Sequence, residues 1–293
     1  MKRLAIAIGF MLVVCLLSLN PLQAQLDVPQ KSPKANISFR VGLTDVSINY
    51  CSPAARGRGI WGKLVPYDKV WRAGANEATT AEFSTDIIIG NVILPKGKYG
   101  FFLIPSKEGS WTAIFNKVWD QWGAYSYDET KDALRITVEA NNLTEVIEHL
   151  HYRITEKDIE NGKIIMEWER KQVIIPFATD AINQSMDNIE KALKTAKNDD
   201  KWWLHMEAAE LQLDHYCNVG LALEHTNTSI KLKPTVRGYW GKARALAWKQ
   251  NYAAAIAATE KAKALSAINN EEKEYYASVK EQLEASLKEW KKL

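Results

Sequence analysis

Three kinds of residue or pattern are scarce in this chain, and each absence narrows what it can be. Cysteine occurs three times in 293 residues, at Cys15, Cys51 and Cys217. The first falls in an apolar leader. The other two lie in segments of different character, so they read as separate buried thiols rather than a bridge. Charge of one sign is also lacking. The formal net charge is +3, without the basic footprint of a nucleic-acid binder, so no nucleic-acid partner is expected. Sequence signatures of chemistry are missing too. Strands do not alternate with helices, which argues against a dinucleotide-binding enzyme. No Gly-x-Ser-x-Gly and no Cys-His pair marks a nucleophile in the first half. No cofactor is therefore expected. Beyond the N-terminus, no apolar run is long enough to span a bilayer.

The N-terminus itself reads as a targeting segment. Lys2 and Arg3 precede an apolar run from Leu4 to Leu19, Pro21 ends it, and a cleavage point follows Ala24. That is the pattern of a secretory signal peptide over 1–24, which predicts a periplasmic or secreted protein with no transmembrane anchor after cleavage. Cys15, preceded by Val14 inside the run, does not fit a lipid-anchor signal. Losing 1–24 removes two positive charges and leaves +1.

After a short linker at 25–36, the pattern to about residue 176 is one of short strands. Val46-Ser47-Ile48-Asn49-Tyr50 and Leu134-Arg135-Ile136-Thr137-Val138 alternate apolar and polar residues, and Ile147 to Tyr152 does so with one slip at Glu148-His149. Further strands are expected at 37–42, 69–74, 79–84, 98–105, 111–116, 163–170 and 172–176. Turn signals separate them, among them Gly90-Asn91, Pro95-Lys96-Gly97, Glu108-Gly109 and Asn161-Gly162. Many short strands at this density predict an all-β antiparallel sandwich, jelly-roll-like, over 37–176. A linker at 177–181 should lead to an all-α helical-repeat domain over 182–293. Helices are expected at 182–197, 200–216, 218–232, 235–250, 252–266 and 271–292.

The helical half repeats. Asn218, Ala222, Thr226 and Leu232 return about 33 positions later as Asn251, Ala255, Thr259 and Leu265, and a weaker copy places Ile189, Leu193 and Ala196 in register. Small residues at such points let helices close up, and Pro234 ends one unit. The pattern resembles the tetratricopeptide repeat, although the usual Trp and Gly-Tyr positions of its first helix are degenerate. The resemblance implies a stacked helical surface that docks a protein partner.

Residues 52–80 carry the densest chemistry. Pro53, Gly57, Gly59 and Gly62 make 52–62 a loop that presents Arg56 and Arg58. Trp71 and Arg72 point to opposite faces if 69–74 is extended, so one is core and the other outward. Arg72 either pairs with Glu77 or another carboxylate to pin the loop, or clamps a ligand. Trp61, Tyr67, Asn76 and Glu77 complete the set, with Trp122 of a second aromatic loop that also holds Trp119 and Tyr125. The ligand-binding candidates are thus Arg56, Arg58, Trp61, Tyr67, Arg72, Asn76, Glu77 and Trp122. Glu77 is also the one weak candidate for acid–base catalysis. His149 and His151, two apart on a strand, are a weak metal candidate that lacks a third ligand unless Glu167 or Glu169 supplies it.

The stretches from Ile60 to Tyr67, Val70 to Thr80 and Leu94 to Phe102, with Phe115-Asn116-Lys117 and Gln121-Trp122-Gly123, closely resemble a family of secreted bacterial proteins known as domain of unknown function twenty-nine eleven. The resemblance covers about 37–176. It implies a β-rich extracytoplasmic domain and supplies no catalytic residues. Three functions follow as expectations. The first is a non-catalytic binding and scaffold protein, its β domain holding a small anionic or glycan-like ligand and its helices docking a protein. The second is a structural cell-envelope assembly protein. The third is a hydrolase of unknown substrate using Glu77.

Overall fold

The computed structural model describes residues 28–215 and 218–293, so the leader at 1–24 and Cys217 lie outside the described residues. Ten strands come first: β1 (Lys34–Val41), β2 (Thr44–Cys51), β3 (Thr79–Phe83), β4 (Ile87–Ile89), β5 (Val92–Leu94), β6 (Gly97–Ile104), β7 (Trp111–Asn116), β8 (Asp132–Val138), β9 (Ala140–Glu156) and β10 (Asn161–Ala178). They form a six-stranded sheet in the order β1-β2-β3-β6-β7-β8 and a four-stranded sheet in the order β5-β4-β10-β9. Every pairing between named strands is antiparallel. The two sheets bury their apolar faces against each other. Val46 and Ile48 of β2, Phe101 and Leu103 of β6 and Phe115 of β7 meet Ile164, Met166 and Val173 of β10 in one core. This is the expected β-sandwich, produced by period-two alternation on strands such as β2, while the central β6 and β7 are buried on both faces.

The core is built around four indoles. Trp61 lies edge-on to Trp71, Trp111 and Trp168, with ring centres 5.7, 4.7 and 5.8 Å away, and Trp71 stacks on Trp168 at 5.8 Å. Trp111 and Trp168 are 1% exposed. Each indole nitrogen of Trp71, Trp111 and Trp168 donates to a backbone carbonyl (those of Gly74, Ser106 and Glu148). The cluster therefore buries large apolar surface without stranding those three donors.

The stretch 69–74, expected as a strand, is a loop. Only Trp71 pairs, exchanging backbone bonds of 2.8 Å each way with Leu103. The cause is local conformation: Asp68, Ala73 and Asn76 sit at φ of 57°, 51° and 55°, left-handed values that turn the chain at both ends of the stretch. The strands expected at 163–170 and 172–176 are one strand, β10. A left-handed Glu169 at φ 53° and two register shifts against β9 absorb the irregularity. The linker expected at 177–181 shortens to Thr179-Asp180. Phe177 is drawn into the sandwich core and Ala181 is already buried at the start of the first helix.

Six helices follow: α1 (Ala181–Thr195), α2 (Lys201–Asp214), α3 (Val219–Leu232), α4 (Val236–Trp248), α5 (Tyr252–Leu265) and α6 (Asn270–Trp290). Each packs on the next, and α2 also meets α4 as α4 meets α6. The recurring residues have two distinct jobs. Asn218 and Asn251 cap α3 and α5, accepting from the backbone N–H of Leu221 at 3.0 Å and of Ala254 at 3.2 Å. Ala222 and Thr226 in α3, like Ala255 and Thr259 in α5, are fully buried where neighbouring helices approach. Between α2 and α3, His205 and His225 face each other with Nδ1 atoms 2.9 Å apart.

The β and α portions join through short contacts. Glu160 accepts from the backbone N–H of Ile182 at the start of α1, at 3.0 Å. Gly42, at φ 56° in the β1–β2 turn, has no room for a side chain: a Cβ there would lie 2.3 Å from the Ile159 carbonyl and 2.5 Å from Ala181 Cβ.

Candidate functional site

The outer, wet face of the six-stranded sheet carries a polar groove. Alternation along β2 sends Val46 and Ile48 into the core, which leaves Asn49 and Cys51 on the opposite face. Register then aligns Asn36 and Thr80 beside Asn49, and Lys34 beside Cys51. On β6, Tyr99 and Phe101 point inward and Lys98 outward. The floor of the groove is thus set by strand parity alone.

Its wall is the loop 117–127, folded back over β6. Gly100 makes this possible, since a Cβ there would sit 2.8 Å from the Val118 carbonyl. Asn116 anchors the loop, donating to the Asp128 carbonyl and to Asp132 Oδ1 at 2.9 and 2.7 Å while accepting from the Val118 N–H at 2.8 Å. Residues 76–78 run antiparallel to 121–123. Ala78 N–H donates to the Gln121 carbonyl at 2.9 Å, Gly123 N–H to that of Asn76 at 3.0 Å, and Glu77 bridges Trp122. The groove is open to solvent and has a volume of about 450 Å³, lined by Lys34, Asn36, Asn49, Cys51, Glu77, Thr80, Lys98, Trp119 and Gln121 among others. Lys98 Nζ lies 4.1 Å from the centre of the Trp119 ring.

At one end, three side chains are linked. Lys34 Nζ is 2.8 Å from Glu77 Oε1, and Cys51 Sγ donates to Glu77 Oε2 at 3.3 Å. The hydrogen bond from Lys34 is the main reason that the Glu77 carboxyl is held below the usual carboxylate range. Burial, followed by that same bond to Glu77, pushes the Cys51 thiol up. Glu77 is therefore an ionised acceptor, and Cys51 a protonated thiol with little nucleophilic character. The trio can bind polar groups but is poorly set for attack on a substrate. Two more oxygens belong to residues of this lining: Thr80 Oγ1 and Gln121 Oε1 are shut off from solvent and have no hydrogen-bond partner.

The residues singled out from the sequence divide between two places. Glu77 lines the groove, with Asn76 and Trp122 flanking it. Asn76 donates to the Ser32 carbonyl at 3.2 Å, and Trp122 is 60% exposed. Arg72 sits on the same loop, half-buried with its Nε enclosed, and is not among the residues that line the groove. It makes no ion pair with Glu77, whose partner is Lys34. Arg56, Arg58, Trp61 and Tyr67 do not line the groove. Arg56 donates to the Lys31 carbonyl at 3.2 Å, and Arg58 to those of Ala55 and Ala54 at 3.0 and 2.7 Å, so both brace the loop. Trp61 belongs to the indole cluster, and Tyr67 packs on Gly62, where a Cβ would lie 2.4 Å from its ring. His151 bonds Glu167 at 2.8 Å, and Arg153 shares that carboxylate, while His149 is exposed. Among the described residues no group of three His, Cys, Asp or Glu side chains is placed to hold a metal ion. Lys34, Asn36, Asn49, Thr80, Lys98 and Gln121 were not singled out from the sequence. For all but Gln121, which lies on the loop, the signal was present in the polar positions that alternate with core residues.

A larger cleft of about 570 Å³ opens at the far edge of the sandwich, walled by Ile88, Ile136, Val138, Ile174 and Phe177. Its only charged lining residue is Glu139, and none of the candidate site residues lines it.

Fold and site together define an antiparallel β-sandwich with a polar groove on one outer face, continued by a helical stack. Residues 32–177 match the family described as Protein of unknown function (DUF2911), and the β domain of this chain belongs to that family. No curated protein and no solved structure matches the chain.

Proposed function

We propose that the chain is a non-catalytic binding protein whose β domain holds a small hydroxylated, glycan-like ligand in the groove on the outer face of the six-stranded sheet. The observation that carries this reading is the lining. Four amide or hydroxyl side chains (Asn36, Asn49, Thr80 and Gln121) line a concave space beside the Trp119 indole, and the amides of Asn36 and Asn49 are exposed. Sugar hydroxyls are donors as well as acceptors and suit such amides, while an indole face suits the C–H face of a ring. The local charges, Lys34 and Lys98 against Glu77 and Asp120, balance, which favours polar recognition over a strongly charged ligand. The leader pattern at 1–24 puts this binding in the periplasm or outside the cell. The helices, with Trp203 and Trp248 exposed, would serve as the docking surface for a protein partner.

The test is a thermal-shift screen of the full chain against mono- and disaccharides, with binding measured by calorimetry. At least one sugar should raise the melting temperature, and Trp119→Ala should abolish the shift while leaving the ligand-free melting temperature within a few degrees. No shift with any sugar, or an undiminished shift in Trp119→Ala, overturns the reading.

A further inference from the structure

The groove is longer in one direction than in the other, and its shape limits what can fill it. Along the strands its lining runs only from Lys34 to Asn36 on β1 and from Asn49 to Cys51 on β2, about 7 Å at the rise of an extended chain. Across the strands it runs over β1, β2, β3 and β6, three strand spacings or about 14 Å. One cross-strand row forms the long axis. Asn36 lies opposite Asn49, Asn49 opposite Thr80, and Thr80 opposite Gly100. The row has a low middle between two ends of different chemistry. At the first end the exposed amides of Asn36 and Asn49 are held side by side, Asn36 Nδ2 donating to Asn49 Oδ1 at 2.9 Å. In the middle Thr80 is only 6% exposed. At the second end the missing side chain of Gly100 admits Trp119, whose Cα lies 3.3 Å from where a Cβ would stand. Trp119 is 40% exposed, with Lys98 Nζ over its ring. The loop 117–127 closes this second end. The first end is open, because β1 is the edge strand of its sheet.

We infer that the groove's ligand is a linear sugar chain of at least two units, laid across the strands with one end against Trp119, rather than a single sugar. This rests on the reading of the groove as a site for hydroxylated ligands and adds the ligand's length and direction to it. One pyranose ring cannot touch the indole and the amide pair together, because two strand spacings, about 10 Å, separate β6 from β2. A chain reaches both. One unit rests on the indole, where Lys98 supplies donors to its hydroxyls, and the hydroxyls further along meet Asn49 and then Asn36. Thr80 leaves the floor between them flat. The open end at β1 lets a longer chain run out into solvent.

Calorimetry on the full chain with two series tests this: glucose with its cellulose-type chains of two and three units, and N-acetylglucosamine with its chitin-type chains of the same lengths. In at least one series affinity should rise about tenfold or more from one unit to three. Asn36→Ala and Asn49→Ala, both at exposed positions far along the row from Trp119, should each remove most of that gain. Trp119→Ala should weaken every length. Circular dichroism melts of the variants check that the β domain remains folded. Equal affinity at every length in a series that binds overturns the inference and leaves the hydroxylated-ligand reading standing. An undiminished gain in folded Asn36→Ala and Asn49→Ala does the same, since the added units would then lie elsewhere. No binding by either series overturns the inference and counts against the groove reading as well.

Discussion

Glu77 is held by Lys34 from one side and by Cys51 from the other, and both contacts favour its ionised form. Its folded value is lowered from 4.5, so the stability it contributes is full above that pH and is lost as the pH falls through the lower folded value. Lys34 is raised from 10.5, so its share is full below that pH and is lost as the pH rises through the folded value. The clamp therefore acts over the whole neutral range. Lys34→Met should flatten the acid limb of a melting-temperature profile taken from about pH 6 to pH 3. An acid limb identical to that of the parent chain would show that the clamp carries no stability. Deeper in the domain the forces are different. Trp168 is 1% exposed within the indole cluster, so Trp168→Ala should cost about 3–5 kcal/mol in urea unfolding. A loss under about 1 kcal/mol would mean that the neighbouring rings collapse into the space, contrary to what a close-packed core allows.

At the scale of elements, strands and helices here answer to different local rules. Strand parity alone places Lys34, Asn36, Asn49, Cys51, Thr80 and Lys98 on one face, while the wall above them depends on Gly100 and on the Asn116 anchor. In the helices, Asn at the cap and Ala or Thr at the contact recur because each helical pair meets the same two needs. The His205–His225 pair joins α2 to α3 with both rings lowered from 6.5, chiefly by burial. Below that pH the unfolded chain takes up protons more readily than the folded one. The stabilisation is then full above about 6.5 and declines on acidification. The helical transition followed at 222 nm should fall in temperature between about pH 7.5 and 5.5, and His225→Gln should reduce that fall. An equal fall in the variant would assign the effect elsewhere.

Across the whole molecule, the apolar clusters separate. Two are built from strands and the loops between them, and two others lie within the helices. The two halves touch at the turn around Gly42 and through Glu160 at the start of α1. A fragment of residues 28–180 should accordingly fold alone, with a single cooperative melt and the sugar response of the full chain. A fragment that is unfolded, or folded but unresponsive, would show that the helices complete the site. Much of this plan was legible in the sequence. Alternation in Val46 to Tyr50 marked a half-wet strand, and the recurrence of Asn218 and Ala222 at Asn251 and Ala255 marked repeated caps and contacts. Both follow from local periodicity, which each segment carries by itself. What the sequence left open was which polar residues share a space. Arg72 could pair with Glu77, five positions on, with another carboxylate, or with a ligand. The left-handed turns at Ala73 and Asn76 separate Arg72 from Glu77 and give Glu77 to Lys34, more than forty positions upstream. The groove is likewise made of β1, β2, β3, β6 and a distant loop, brought together by strand order and by one missing Cβ at Gly100. Local periodicity determined the strands, the helices and their wet and dry faces; only the tertiary fold decided which charges found partners and which guanidinium did not, because pairing depends on distance in space and not along the chain.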